Sequence, residues 1–582
     1  MRPVVTVVVP VHDPGRFVEP AIASLLAQSL PAGQLEIVFV DDGSTDDTPA
    51  RLAALARAHP HVRVERIPPS GAPGRPRNVG LALARGEYVF FMDADDELAP
   101  RALEMLSRTA RRNGADVVVG KHASQTLVRR QDLFVRNRAR ATLRTMPQLV
   151  NGSFAADKLF RRTFLREHGI LFPERWRQME DQLFTLQAYL RAGVISIFSS
   201  EPVYYFRRRD DEAHISAERV DPASHAAHLA ELMASVDAEP DLGPVRTRLL
   251  AKFYRNEGLA RLLSPDVLTA DDGYRAALAE ALGEIARRWS EPAVEDRLGS
   301  VLRLASALLR EGRSDALWAL AARAADIRAK ATVDSARWRD GLMRLDYGVE
   351  LVWPDGRPVV VLVDGDSAIL DPALTAGLGV SPAPVSSELE TARSQLSAVH
   401  LESAVEWLLP AQSRFALAEI GRGRRRVRKP SFRGSAELDP LAVGPAGRPL
   451  SEGAWRLEAR YSAFGLHRVA SLQTVETPGR WWARPGLVGD PPRWVKPMVA
   501  ESHGLELRID APDGSVPPVD AAAVQVAPIA AGPAFVLPIS TDRSGPLAIV
   551  QLEAEAVSLA PARPPLRPRP PGRAGRRVRL VA

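Results

Sequence analysis

The chain of 582 residues contains no cysteine, which excludes disulfides, thiolate metal sites and cysteine nucleophiles. That fits a reducing compartment without requiring one. Long apolar runs are also missing. No stretch of about 18 apolar residues occurs, so no membrane-spanning helix is expected. The apolar run in MRPVVTVVVPVHDPG is short and lacks a small-x-small cleavage pattern, so it reads as a first strand rather than a leader. Acid is absent from the far end: Pro561 to Ala582 holds seven arginines and neither Asp nor Glu. Removing those arginines takes the net charge from +6 to −1, so the body is close to neutral. The tail at 561–582, rich in Pro as well as Arg, is expected to be disordered. Its charge suits an anionic membrane surface or an anionic polymer, and a plain solvated tail is the simpler reading.

What is present is ordinary globular material, 46% hydrophobic and 25% charged, enough for several cores. The length predicts three or four domains. Up to about residue 125, short apolar strands alternate with helical stretches. Strands are expected at Val4–Val9, Leu35–Val40, Val62–Ile67, Tyr88–Met92 and Val117–Val119. Helices are expected at Arg16–Gln28, Thr48–Ala58, Arg77–Ala84 and from about Pro100 to Asn113. This alternation predicts a mostly parallel sheet with helices on both faces. Residues 222–330 are helical, with Leu298, Val301, Leu302, Ala305 and Leu308 at three and four spacing. After about Ala331 the pattern turns to alternation, as in Trp455-Arg456-Leu457-Glu458-Ala459-Arg460-Tyr461, which predicts antiparallel β-sandwich material. The expected division is 1–220, 221–330, 331–435, 436–560 and the tail, with the basic, turn-rich stretch at 421–434 dividing the β part.

Chemistry-bearing residues collect at the carboxyl ends of the predicted strands, where open α/β sheets bind ligands. His12 and Asp13 follow the first strand, and Asp41 and Asp42 follow the second. Tyr88-Val89-Phe90-Phe91-Met92 runs into Asp93-Ala94-Asp95-Asp96. A strand that ends in two carboxylates two apart suits a hard divalent cation held against phosphate oxygens. Taken alone, an Asp-x-Asp is more often a turn or a helix cap. Glu180 and Asp181, read alone, would merely favour the positive end of a helix.

Four motifs in order change that weighting: Val9-Pro10-Val11-His12, Glu36 to Asp46 (EIVFVDDGSTD), Arg77-Asn78-Val79-Gly80, and Asp93-Ala94-Asp95. Over about the first 220 residues the chain resembles the family 2 glycosyltransferases of the GT-A fold. The resemblance implies inverting transfer from a nucleoside-diphosphate sugar, commonly UDP-linked. It assigns Pro10, Val11, His12 and Asp42 to the base pocket, and Arg77 and Asn78 to the flank of the nucleotide and sugar. Asp93 and the adjoining Ala94 belong to the hydroxyl-binding part, and Asp95 to Mn²⁺ or Mg²⁺ on the diphosphate. In Arg177-Gln178-Met179-Glu180-Asp181-Gln182 it makes Asp181 the base, with Glu180 supporting it or positioning the acceptor. His214 is a candidate to complete the metal shell, and Arg207 to Arg209 could meet phosphate. Lys158 matches a recurrent family segment without a defined role.

The Gln-x-x-Arg-Trp sequence of processive synthases is absent, which weighs against a cellulose- or hyaluronan-type polymerase. A catalytic domain followed by a helical linker and β-modules resembles the wall teichoic acid glycosyltransferases of Gram-positive bacteria. That implies a cytoplasmic enzyme, peripheral at the inner face of the membrane, acting on a polymeric or lipid-linked glycan. It also implies homotrimers, or other homo-oligomers, formed through the β-modules. Nucleic acid is not an expected partner. Trp481, Trp482 and Trp494 could stack on sugars, although buried core explains most tryptophans. The competing reading is a catalytically weak glycan-binding or scaffolding protein on the same fold, against which the intact set Asp93, Asp95 and Asp181 argues.

Overall fold

A computed structural model describes residues 2–124, 131–134, 136–152, 154–206, 219–339, 342–364, 367–385, 388–389, 392–402, 406–420, 426–440, 450–474, 486–488, 493–499, 504–509, 527–528 and 535–538. The N-terminal part holds strands β1 (Val5–Val11), β2 (Leu35–Asp41), β3 (Val62–Arg66), β4 (Tyr88–Phe91), β5 (Glu97–Leu98), β6 (Val117–Ser124), β7 (Arg138–Ala141), β8 (Leu159–Arg161) and β9 (Ile195–Phe206). Between them lie α1 (Val18–Leu26), α2 (Thr48–Ala58), α3 (Gly74–Leu83), α4 (Ala102–Asn113), α5 (Arg162–Glu167) and α6 (Glu180–Arg191). The sheet order is β3-β2-β1-β4-β8-β6-β9-β5, with β7 on β9. β1 pairs in parallel with both β2 and β4, whereas β8 enters antiparallel between β4 and β6. Helices cover both faces, so β2 and β4 are buried along their whole length and are apolar apart from Glu36, which Thr6 and Arg85 satisfy, and the terminal Asp41.

The strand order around β1 brings the carboxyl ends of β1, β2 and β4 side by side. α3 lies hard on β1, because a Cβ at Gly80 would fall 2.2 Å from Val8 Cγ1. Only glycine allows that approach, and it sets Arg77, one turn earlier, over the same edge of the sheet.

The helical region comprises α7 (Pro222–Asp237), α8 (Pro244–Phe253), a π-helical turn at Tyr254–Gly258, a 3₁₀ turn at Leu259–Leu263, α9 (Pro265–Leu268), α10 (Asp272–Trp289), α11 (Pro292–Glu295), α12 (Ser300–Arg310) and α13 (Ser314–Asp326). Asp221 and Asp271 cap α7 and α10 by accepting from the Ser224 and Tyr274 N–H groups. Leu298, Val301, Leu302, Ala305 and Leu308 are all buried, as their spacing requires.

Helix gives way to strand at Ile327. β10 (Arg328–Arg339), β11 (Leu342–Val352), β12 (Val361–Asp364), β13 (Ser367–Leu370), β14 (Arg393–His400), β15 (Glu406–Leu409), β16 (Ala411–Glu419), β17 (Arg426–Leu438), β18 (Gly453–Ala463) and β19 (Leu466–Thr474) build two apolar faces that share a core. Along β18, Trp455, Leu457, Ala459 and Tyr461 are buried while the residues between them are half-exposed. Phe432 of β17 meets Tyr461 edge-on at 5.0 Å. β17 runs unbroken through position 435, where the sequence reading placed a module boundary. Its arginines and Gly434 sit in a strand paired with β11, β12 and β16 rather than in a turn.

Candidate active site

At the ends of β1 and β2 the backbone is stitched tightly. The Asp42 N–H donates to the Val11 carbonyl at 2.8 Å, and His12 Nδ1 lies 2.8 Å from the Asp42 carbonyl. The His12 imidazole itself is 57% exposed. The buried Asp42 carboxylate accepts from the Ser70 N–H at 2.9 Å and from Ser70 Oγ at 2.7 Å. It therefore anchors the loop after β3, and each oxygen retains lone-pair capacity for another donor. Asp41 does comparable work beneath, accepting from the Ser44 N–H at 2.9 Å and pairing with Arg66. Pro10, Val11, His12 and Asp42 are thus one cluster.

A second cluster centres on Arg77. Its buried guanidinium donates to Asp93 Oδ1 at 2.8 Å and to Glu180 Oε1 at 2.6 Å, joining the end of β4 to the start of α6. It lies over the Phe172 ring at 5.3 Å, and Phe172 is stacked on Phe184 at 3.9 Å. The Asp93 side chain is half exposed, so one end of the ladder faces solvent and the Glu180 end does not. Ala94 and Asp95 follow in the turn after β4, partly exposed. Asp96 is buried and accepts from the Tyr204 hydroxyl at 2.7 Å, while the Asp93 N–H donates to the same hydroxyl at 3.2 Å. Tyr204 of β9 therefore fixes the turn that carries Asp93 and Asp95.

Asn78 turns the other way. Its amide oxygen accepts from the Phe172 N–H, and its amide nitrogen donates to the Phe172 carbonyl and to Glu174. The residue expected beside the nucleotide is occupied in clasping the segment that holds the ring under Arg77.

α6 begins under strain. Met179, buried and at φ 67, occupies the left-handed region, which is unfavourable for a non-glycine residue. The bend delivers Glu180 and Asp181 together at the helix N-terminus. Glu180 pairs with Arg77, whereas the hydrogen bond given to the Asp181 carboxylate comes from the Gln182 N–H at 2.8 Å. Burial first, and then the neighbouring Glu180 charge, push the Asp181 pKa up to about 8 against the pull of Arg77.

Lys158 is wholly buried, donating to Asp157 at 3.0 Å and to the Ala155 carbonyl, and His122 closes on Asp157 at 3.2 Å. Its place is the core beside β8. His214, Arg207 to Arg209, Trp481, Trp482 and the tail at 561–582 lie outside the described residues, as does the side chain of Trp494. Sequence reasoning missed Phe172, Tyr204, Ser70 and the bend at Met179. Only Tyr204 carried a signal, as one of two tyrosines in an apolar run.

Residues 6–169 match the model of glycosyl transferase family 2, and residues 222–321 match the glycosyl transferase TarS linker domain. A poly(ribitol-phosphate) β-glucosyltransferase of Bacillus spizizenii is 31% identical over 252 residues, which cover 43% of this chain and 39% of that protein. The poly(ribitol-phosphate) β-N-acetylglucosaminyltransferase TarS of Staphylococcus aureus is 32% identical over 225 residues, 37% of this chain and 38% of that protein. The matches thus span about two fifths of the length of these curated relatives. The crystal structure of residues 1–349 of S. aureus TarS with UDP-GlcNAc aligns over 62% of this chain and 98% of that one, at 24% identity and a TM-score of 0.49.

Proposed function

We propose that the chain, whose residues 6–169 match the model of glycosyl transferase family 2, moves a sugar, with inversion, from a nucleoside-diphosphate donor to a hydroxyl of a cell-wall glycopolymer or its lipid-linked precursor. The observation that supports this most is the ladder Asp93–Arg77–Glu180, which ends beside the unpaired-by-arginine Asp181. Asp93 and Glu180, the neighbour of Asp181, stand at the two ends of one buried guanidinium.

In this reading Pro10, Val11, His12 and Asp42 receive the base, and Asp93 meets sugar or ribose hydroxyls. Asp181 takes the acceptor proton. Its raised pKa makes it a stronger base than an ordinary carboxylate while leaving a useful ionised fraction near neutral pH. Arg77 neutralises Glu180, so the site does not carry three uncompensated carboxylates. Two carboxylates at a strand end fit a cation whose other ligands are phosphate oxygens and water. No group of three His, Asp or Glu side chains suited to a metal occurs among the described residues, and His214 lies outside them. Asp95 would hold Mn²⁺ or Mg²⁺, which when bound supplies charge neutralisation to the departing diphosphate.

The names of the relatives support glucose or N-acetylglucosamine as the sugar moved and poly(ribitol phosphate) as acceptor, and the donor in this reading is UDP-linked. Residues 1–220 would be the catalytic domain and 221–330 the linker, and the β region from 331 to 560 would serve assembly or hold the polymer. No helix among the described residues is long and apolar enough to cross a membrane, and the arginine-rich tail would bring the enzyme to an anionic surface. The test is a screen of the purified protein against UDP-, GDP- and dTDP-sugars, with Mn²⁺, Mg²⁺ or chelator, followed by poly(ribitol phosphate). Metal-dependent release of UDP and incorporation of sugar into polymer are expected. Failure to turn over any nucleotide sugar would overturn the proposal.

A further inference from the structure

Two hydrogen bonds tie the turn that carries Glu180 and Asp181 to the helical region. Gln182, one residue after the base, donates from Nε2 to Glu257 Oε1 at 3.1 Å. Arg261 donates from Nη2 to Gln178 Oε1 at 3.1 Å, gripping the residue before the strained Met179. The two contacts straddle the bend, and both come from one irregular stretch of helix. Glu257 sits in the π turn Tyr254–Gly258, and Arg261 in the 3₁₀ turn that follows. A π turn inserts an extra residue and re-aims a side chain; such turns gather at functional sites.

That stretch is itself held from three sides. His225 Nε2 lies 2.7 Å from the Glu257 carbonyl, and burial keeps its imidazole neutral, so Nε2–H is the donor. The Tyr254 hydroxyl bonds Ser306 of α12 at 2.8 Å. Lys252, just before the π turn, donates to the Val150 and Gly152 carbonyls of the N-terminal region and lies over the Phe154 ring at 4.2 Å. On the outer side, His228 of α7 stacks on Trp176 at 4.3 Å, bracing the segment that leads into Met179. A left-handed conformation at a non-glycine residue persists only when its surroundings over-determine it. Here the surroundings belong to the helical region as much as to the sheet.

We propose that Glu257 is a positioning residue for the transfer reaction: through Gln182, and with Arg261 acting on Gln178, the π turn of the linker holds Asp181 in its working orientation. The inference rests on the reading of Asp181 as base. It makes the linker a part of the catalytic apparatus rather than a spacer between two functional regions.

The test compares full-length Glu257→Ala, Glu257→Gln and Gln182→Ala with wild type by steady-state kinetics and by hydrogen exchange of the peptide spanning 177–184. Glutamine at 257 keeps an acceptor oxygen for Gln182, and alanine does not. Glu257→Ala and Gln182→Ala are expected to lower kcat about tenfold with the KM for the nucleotide sugar unchanged, since misorientation of a base spares donor binding. Exchange in 177–184 should quicken in both, whereas Glu257→Gln should keep most of the wild-type kcat and protection. Unchanged exchange in Glu257→Ala would overturn the proposal, as would quickened exchange with an unaltered kcat. If wild type turns over no nucleotide sugar while exchange still responds to Glu257→Ala and not to Glu257→Gln, the coupling between π turn and bend stands and the transferase reading falls.

Discussion

Asp181 and Glu180 sit side by side at the start of α6, yet arginine pairing reaches only one of them. Arg77 pairs with Glu180, and burial and the adjacent Glu180 charge outweigh its pull on Asp181. The sign of the consequence follows from proton counting. The folded chain holds the Asp181 proton up to about pH 8, whereas the ordinary value is 3.8. Between those limits the folded state binds more protons than the unfolded one, so stability falls as pH rises. Asp181→Asn removes that slope: its stability relative to wild type should grow from about pH 4 and level off above the folded pKa, as urea titrations across pH would register. The same substitution should cut transfer by about 10²–10⁴-fold while UDP binding in the presence of Mn²⁺ stays within a factor of two of wild type. For wild type, kcat should rise with pH and flatten above about pH 8. Glu180→Gln, which removes the like charge, should move that midpoint to lower pH. A midpoint unmoved by Glu180→Gln would mean the two carboxylates do not communicate. Asp95 gives a different signature. Asp95→Ala should weaken nucleotide binding with Mn²⁺ present and leave metal-free binding unaltered, and calorimetry with and without the cation separates the two.

Elements built on repetitive patterns were legible in the sequence, and elements built on tertiary strain were not. The runs Leu35–Val40 and Tyr88–Met92 became β2 and β4 because a sheet covered on both faces demands near-continuous apolar strands, Glu36 being the one charged residue between them. α2 spans Thr48–Ala58, and the β18 alternation faces the core as its period of two requires. The helix expected at Arg77–Ala84 starts earlier, at Gly74, where a Cβ would strike the Pro173 carbonyl at 2.4 Å, so that only glycine admits the crossing segment. The bend at Met179, the clasp made by Asn78 and the ring under Arg77 arise from segments about 90 to 100 residues apart, and no local pattern announces them. Gly80 is the element-scale test. Gly80→Ala drives a methyl into Val8, shifting α3 and Arg77 with it, and should cost about 1–3 kcal/mol together with a loss of nucleotide-sugar affinity. Val8→Ala opens the space, so the double variant should be more stable than the two single effects summed. Strict additivity in thermal unfolding would show that α3 does not rest on β1 in this way.

At the scale of the molecule, one apolar cluster runs from the N-terminal sheet through the helices into both β layers, so these regions share a core rather than a tether. The junction between α12 and the β region is dense. A Cβ at Gly299 would fall 2.0 Å from the Gly465 nitrogen, and the Val301 N–H donates to the Phe464 carbonyl at 3.1 Å. Arg468 of β19 reaches the Ile327 and Ala324 carbonyls at 2.7 and 2.6 Å, closing the last helix onto the sheet. Glu388 is the polar centre of this junction, buried, accepting from the Ser300 N–H at 3.0 Å and paired with Arg303 at 2.6 Å. Removing it leaves Arg303 with the Pro384 carbonyl but no counter-charge, and uncaps the α12 N-terminus, a loss on the order of 3 kcal/mol. Because the loss falls at the joint, its mark is on cooperativity rather than on either region alone. Wild type should unfold in urea with its helical and β signals coincident. In Glu388→Ala the β signal should separate to lower urea, while nucleotide-sugar binding holds its wild-type affinity until the second transition. Coincident transitions in the variant would mean the regions are coupled through the apolar core alone.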